Sequence, residues 1–420
     1  MFSTLSLKRE DESEREWSKM KKVLYISDAV PYDKIRHAGG KTLNYYISHA
    51  LKSKDFEITL VGLCKEEERK DFDKEKLGLR CYPVVTRGTF WINVKRILTD
   101  IVGKVFYQHN NAEISFYALT EIERVIKSLK KSGYEPDVVL LEWTKMVLQV
   151  DRIRSIFPTA KYIASEHDVA FLGLERKVLN TPANKKADVQ RVYERGKVKE
   201  LHCLDVCDVV MPQCNKDKNL LIQNGVDENK IYVLTPYFHD MRRIERTNVN
   251  HDILFWGAMY RADNYNAAIW FIEKVMPLLE DTDVRFIVAG NRPPERLKKY
   301  ANDRIKVTGF VQNEVPLFET ALCTVVPLLG GAGIKVKVIE SLSAGVPVLT
   351  NDIGIEGIDA VDGISYFHCT KPEDYAKVIK QLLEGEINTE RLKENQYSFI
   401  RENFDLAQAA EKYCEMIQKL

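Results

Sequence analysis

Apolar positions along this chain fall into two alternating series. The first opens with the strand-like run Val23-Leu24-Tyr25-Ile26-Ser27, then a loop containing Gly39-Gly40 and a helix pattern from about Thr42 to Leu51. A strand is expected at Glu57 to Leu63, with further strand-like runs at Asp137 to Leu141, Lys161 to Ser165, Val209 to Met211 and Ile231 to Leu234. Long helical patterns lie between them, over Glu113 to Lys131 and Lys185 to Leu204. Periodicity is lost over Pro236 to Asp252, which gathers Arg, Asn and His and reads as a linker. The second series starts at Ile253-Leu254-Phe255-Trp256-Gly257. It continues with a helix over Ala267 to Leu279 and strands at Val284 to Gly290, Ile305 to Thr308 and Ala321 to Pro327. A helix over Lys335 to Ala344 then leads into a strand at Val346 to Thr350.

Strands alternating with helices in this way predict parallel sheets covered on both faces. The expected fold class is α/β, with two doubly wound domains. The expected division is a polar N-terminal extension over 1–20, an N-terminal domain over 21–236 and a linker over 237–252. A C-terminal domain over 253–387 and helices over 388–420 follow, the last of them packing back on the N-terminal domain.

Composition narrows the class. At 420 residues the chain exceeds one ordinary core, and 45% apolar with 29% charged residues is the balance of a globular protein. Lys and Arg total 62 against 61 for Asp and Glu, so nothing draws the whole molecule to nucleic acid. No apolar run reaches the roughly 20 residues that span a bilayer. Residues 1–20 are polar and lack the apolar stretch of a secretory signal, so a cytoplasmic protein is expected, with peripheral attachment to the inner face of the membrane as a variant. The eight cysteines are scattered, which fits reduced thiols. His202, Cys203, Cys207 and Cys214 lack paired C-x-x-C spacing and read as buried thiols beside a strand rather than a zinc site. Asp281-Thr282-Asp283 reads as a polar turn before a strand. No metal and no other cofactor are expected.

In open parallel sheets ligands lie outside the carboxyl ends of the strands. The loop there with most chemistry is Pro327-Leu328-Leu329-Gly330-Gly331-Ala332-Gly333-Ile334-Lys335-Val336-Lys337, which opens a helix bearing Glu340. Its glycines let backbone approach a ligand, and free N–H groups at a helix start favour an anion. Lys335 and Lys337 add positive charge, so a diphosphate is the natural guest. Glu340 would repel phosphate but suits vicinal hydroxyls such as a ribose. From the residues alone, a tight turn and a solvated helix remain the competing reading.

The stretch from Phe255 to Gly357 resembles the donor half of the GT-B-fold retaining glycosyltransferases of family 4. The pieces that carry the likeness are Phe255-Trp256-Gly257-Ala258-Met259, the helix start from Asn264 to Phe271, Val288-Ala289-Gly290 and Val307 to Val311. Gly333 to Glu340, Ala344 to Thr350 and Gly354-Ile355-Glu356-Gly357 complete it. The resemblance implies two Rossmann-like domains facing a cleft. It also implies transfer of a sugar from a UDP- or GDP-linked donor, with retention, in polysaccharide or glycoconjugate assembly.

Residue by residue, Glu340 is similar to the family's ribose-binding glutamate. The glutamate that touches the sugar would fall at Ala332 and is absent, which leaves the backbone of Ala332 to Ile334 for that contact. The family's Arg and Lys would fall at Ala258 and Asn264. Arg261, Lys335 or Lys337 is expected to replace their charge, Lys335 first. Gly257, Gly331, Gly333, Gly39 and Gly40 are expected to border the donor. His167 is similar to the family's histidine near the transferred sugar and, with Lys335, is the expected catalytic group. Glu142, Trp143, Glu166 and Asp168 are expected to line the acceptor pocket.

The acceptor is expected to be a glycan, a lipid-linked molecule or a small molecule. Arg87 to Phe106 is a basic amphipathic segment that suits an anionic membrane surface, and equally a core-packed helix. A nucleotide-sugar epimerase, a phosphorylase of the same fold, or a non-catalytic binding partner derived from such an enzyme are the alternatives.

Overall fold

The computed structural model describes residues 20–31, 37–71, 78–107 and 114–420. The expected N-terminal extension, apart from Met20, and the first residue of the Glu113 pattern lie outside the described residues. Two six-stranded sheets form the frame, and every strand pairing in both is parallel.

The first sheet comprises β1 (Lys21–Ser27), β2 (Phe56–Lys65), β3 (Arg80–Arg87), β4 (Val138–Glu142), β5 (Lys161–Glu166) and β6 (Val209–Pro212), in the order β3-β2-β1-β4-β5-β6. β1, β4 and β5 are almost wholly buried, as strands covered on both faces must be. β3 escaped the sequence reading because it is an edge strand: only Cys81 and Val84 are buried, and Pro83 interrupts it. The expected strand at Ile231 to Leu234 is not one. Tyr232 and Leu234 donate backbone hydrogen bonds to Val210 and Pro212, but the segment then leaves the sheet to cross between domains.

The helices that shape the site on this side are α1 (Ala38–Ser53), α2 (Phe90–Phe106), α3 (Phe116–Lys131), α4 (Ala170–Leu179), α5 (Ala183–Asp205) and α6 (Asn215–Gln223). Gly39 and Gly40, expected in a loop, stand in the first turn of α1. His37 caps that turn, its Nδ1 accepting the Gly40 N–H at 3.0 Å.

The second sheet comprises β7 (Asp252–Trp256), β8 (Arg285–Ala289), β9 (Ile305–Gly309), β10 (Ala321–Val326), β11 (Val348–Thr350) and β12 (Phe367–His368), in the order β12-β11-β10-β7-β8-β9. α7 (Ala262–Lys274) and α8 (Val336–Ser343) flank it, and α9 (Thr389–Asn403) and α10 (Leu406–Lys419) close the chain. Asp281 and Asp283 sit in the turn before β8, paired with Lys380 and His251. All eight cysteines are buried thiols outside any disulfide.

α10 crosses back to the first domain. Its Ala410, Tyr413, Cys414 and Ile417 enter the core beside Val23, Tyr25 and Tyr46. The Tyr413 and Tyr25 hydroxyls share a buried hydrogen bond of 2.8 Å. Full burial of a side chain of this size contributes about 1.5–3 kcal/mol, so α10 is a firm strap between the two halves. Among the described residues no helix is long and apolar enough to cross a membrane.

Candidate active site

The carboxyl ends of β4 and β5 build one wall of the cleft. Trp143, directly after β4, has φ 72° and ψ 143°, a conformation that costs a non-glycine residue about 1–3 kcal/mol. Its backbone N–H donates to Ser165 and its carbonyl accepts from Met146, and its ring stacks on His167 with centroids 4.5 Å apart and planes at 11°. Both ring nitrogens of His167 are engaged. Nδ1 accepts from the Gln213 amide and Nε2–H donates to Glu142 Oε2, each at 2.9 Å. α1 begins against this stack: a Cβ added to Gly39 would lie 3.0 Å from His167 Nδ1 and from the Trp143 ring. Only a bare backbone comes this near.

Two expected acceptor residues turn inward. Glu142 is buried beneath His167 as its hydrogen-bond partner. Glu166 is buried, receives the Thr144 hydroxyl, and faces the interior of the domain. Burial first, and the nearby Glu200 second, push its carboxyl well above the ordinary range. Trp143 and Asp168 remain at the cleft, Asp168 exposed.

The opposite wall is the loop from Gly330 to Lys335. Gly333 has φ 72°, and a Cβ there would lie 3.1 Å from both Asp168 Cβ and the His167 carbonyl oxygen. The glycine therefore serves twice, by adopting a left-handed turn and by letting the loop touch the other domain. Lys335 Nζ donates to the Gly333 and Ala332 carbonyls and lies 3.6 Å from Glu356 Oε2. It braces the loop from within.

Lys337 is the second residue of α8. Its Nζ donates to Asn264 Oδ1 at 2.6 Å and stands 4.9 Å from the centre of the Phe255 ring. A Cβ on Gly257 would lie 2.9 Å from that Nζ. Positive charge thus arrives from another helix at Asn264, a position where the resemblance calls for a basic side chain. Burial, with the charges of Arg261 and Lys335, lowers the Lys337 ammonium to about 7. Arg261 itself is exposed, 3.9 Å from Asp263.

Glu340 is buried on α8, and its Oε1 accepts the backbone N–H of His239 at 3.3 Å. Burial pushes its carboxyl up, opposed by the charge of Lys41 on α1. Elements of both domains thus meet at Glu340, as they do at Gly333.

Three residues near the loop had no assigned role in the sequence reading. Arg176 on α4 and Lys216 on α6 both reach Glu356, and Arg176 also donates to the Gly331 carbonyl. Glu356 stood within a quoted motif without a partner. Nothing in the local pattern marks Arg176 or Lys216 as more than helix-surface cations.

Residues 250–385 match the family model described as glycosyl transferases group 1. The chain carries a glycosyl transferases group 1 domain. That domain holds Gly257, Arg261, the glycine loop, Glu340 and Glu356, while Gly39, His167 and Arg176 face it from outside. A curated relative, an uncharacterized 44.6 kDa protein in the cps region of Klebsiella pneumoniae, is 28% identical over 186 residues, covering 42% of this chain and 47% of that one. The match thus spans about half the length of that relative.

Solved structures share the whole two-domain arrangement. Anabaena Alr3699/HepE in complex with UDP-glucose aligns at TM-score 0.67 and 12% identity, over 95% of this chain and 100% of that one. Sucrose-phosphate synthase from Thermosynechococcus elongatus aligns at 0.67 and 13%, over 95% and 98%. A glycosyltransferase from Rickettsia africae aligns at 0.64 and 15%, again over 95% and 98%. The group 1 domain therefore sits in a GT-B fold.

Proposed function

We propose that this protein is a retaining glycosyltransferase that moves a sugar from a nucleotide-diphosphate donor, UDP- or GDP-linked, to a glycan, lipid-linked or small-molecule acceptor. The observation that carries the reading is the contact of the glycine loop with the His167–Asp168 wall at Gly333, with Lys337 and Glu340 on the helix that follows. A cleft closed by bare backbone, with a cation and a carboxylate on the same helix, suits a diphosphate joined to a ribose.

Transfer breaks the bond between the anomeric carbon and the diphosphate oxygen and forms one to an acceptor hydroxyl, whose proton passes to the departing diphosphate. The carbon passes through an oxocarbenium-like state, and negative charge grows on the departing diphosphate. Stabilising that charge is the main work of the protein. Lys337, Arg261 and the free N–H groups at the start of α8 are suited to it, and the reading calls for no metal. His167, its nitrogens committed to Gln213 and Glu142, shapes the wall and holds its carbonyl toward Gly333. Ala332 removes one sugar-binding carboxylate, so sugar contact falls to the loop backbone and Asp168.

The relative in a cps region supports a place in polysaccharide assembly, and the HepE complex supports a UDP-linked donor. A thermal-shift panel of nucleotide sugars identifies the donor. Incubating that donor with candidate acceptors in the presence of EDTA, and reading the anomeric configuration of the product by NMR, then tests the reaction. Stabilisation by one donor and a product of unchanged configuration are expected. Inversion, or nucleotide release independent of acceptor, would sink the reading.

A further inference from the structure

The helix α2 is mounted the wrong way round for a core element. At 100° per residue, Phe90, Trp91, Leu98, Ile101, Val105 and Phe106 share one broad arc. Each is between 53% and 76% exposed. Gly103, on the opposite side, is the one buried residue of the helix. A Cβ at Gly103 would lie 2.3 Å from Phe116 Cγ, so α2 presses its backbone against the start of α3. Asp100 fastens the same side by accepting the Tyr117 N–H at 2.9 Å. The polar and small face therefore makes the tertiary contacts, and the apolar face looks outward. Sequence periodicity had left a core-packed helix open, and the exposure of the arc excludes it.

An apolar patch of this extent on a single helix marks an interaction surface. Charge decides between occupants. Arg87 to Phe106 carries the basic residues Arg87, Lys95, Arg96 and Lys104 against one acid, Asp100, which accepts from Tyr117; Lys95 is paired with Glu121 of α3 at 2.9 Å, which leaves Arg87, Arg96 and Lys104 in excess. By the same 100° spacing Lys104 lies at one border of the apolar arc, where its long side chain can reach outward while its stem stays with the apolar surface; Lys95 is turned to Glu121 of α3. In a two-fold pairing of chains this uncompensated basic charge would face its own copy. Against an anionic lipid surface it meets opposite charge. The setting also fits: α2 leaves the carboxyl end of β3, the same end of the parallel sheet from which Trp143 and His167 follow β4 and β5.

We propose that α2 docks this protein on an anionic bilayer surface, lying in the interfacial plane with its apolar arc among the acyl chains and Lys104 at the headgroups. The proposal goes beyond the transfer reading and does not depend on it, because binding to vesicles requires no donor.

The test uses the full chain with vesicles of phosphatidylcholine alone and of phosphatidylcholine mixed equally with phosphatidylglycerol. Cosedimentation with the anionic vesicles is expected, stronger at low salt than at high salt. Tryptophan emission should shift to the blue on binding, and Trp91→Phe should remove most of that shift. The double variant Leu98→Glu, Ile101→Glu should weaken binding by about tenfold or more, since it places two carboxylates in the buried arc. Its melting temperature should match that of the parent, because these side chains face solvent in the free protein. The proposal is overturned if the parent chain fails to sediment with anionic vesicles, or if the double variant sediments equally well. It is also overturned if light scattering shows a dimer that the double variant loses, which would assign the face to a second copy.

Discussion

Arg176 and Glu356, 180 residues apart in the chain, join the two domains directly: Nη1 donates to Oε2 at 2.9 Å and Nη2 donates to Oε1. Lys216 shares the same carboxylate, and Arg176 also holds the Gly331 carbonyl. A single carboxylate thus gathers cations from two helices of one domain and ties them to the loop of the other.

The first prediction concerns this joint. Burial pushes the Glu356 carboxyl up, but the hydrogen bonds from Arg176 and Lys216 outweigh it and hold it below its ordinary value. A depressed carboxyl lends stability above its unfolded pKa and loses it as pH falls through the folded value. Arg176→Ala should therefore loosen the closed arrangement, seen as a larger radius of gyration in solution scattering. Overall stability should drop only by about 1–3 kcal/mol, because Lys216 still partners Glu356. A scattering curve identical to that of the parent at neutral pH would show that Arg176 does not hold the domains together.

Lys337 should make nucleotide binding depend on pH near neutrality. Its folded pKa is lowered to about 7 by burial and by the charges of Arg261 and Lys335. Folding thus favours the neutral amine, and the cost of charging it grows as pH falls toward that value. A bound diphosphate favours the charged form, so binding should take up a proton above pH 7 and affinity should fall as pH rises. Calorimetry in buffers of different ionisation enthalpy measures the uptake, and Lys337→Met should abolish it. An affinity flat with pH in the parent chain would remove Lys337 from the phosphate site.

Glu340→Gln separates ribose recognition from folding. Loss of a charged hydrogen-bond acceptor is worth about 1.5–3 kcal/mol, so nucleotide affinity should fall roughly tenfold to a hundredfold. The same change should not lower the melting temperature, because burial already raises the cost of the charged form. Titration with UDP and GDP reads the effect. Equal affinity in the variant and the parent would show that Glu340 serves the packing of His239 instead.

At Gly333 the backbone conformation itself is at stake. Gly333→Ala forces a side chain into a left-handed turn, at about 1–2 kcal/mol, and drives a methyl to within 3.1 Å of the facing wall. Transfer should slow strongly while Gly330→Ala, whose Cβ would find its nearest atom at 3.7 Å, changes little. Matching rates in the two variants would mean that the contact with His167 and Asp168 is not needed.

The chain's own pattern determined its architecture and pointed to one wall of the candidate site. Short apolar runs separated by helical periodicity specify parallel strands wherever both faces are covered, and β1, β4, β5, β7 and β10 are such strands. The glycine loop and Glu340 were legible because their chemistry is local, a few residues around one helix start. β3 was missed because an edge strand buries only part of itself and so lacks the apolar run. Tertiary structure alone decided the rest. It brought Arg176 and Lys216 to Glu356, seated Lys337 against Asn264, committed both nitrogens of His167, and turned Glu142 and Glu166 inward. These outcomes depend on which elements pack together across the cleft, and periodicity carries no such information. The case of α2 shows the limit most plainly. Its sequence states that one face is apolar, but only the fit of Gly103 against Phe116 decides that this face looks outward.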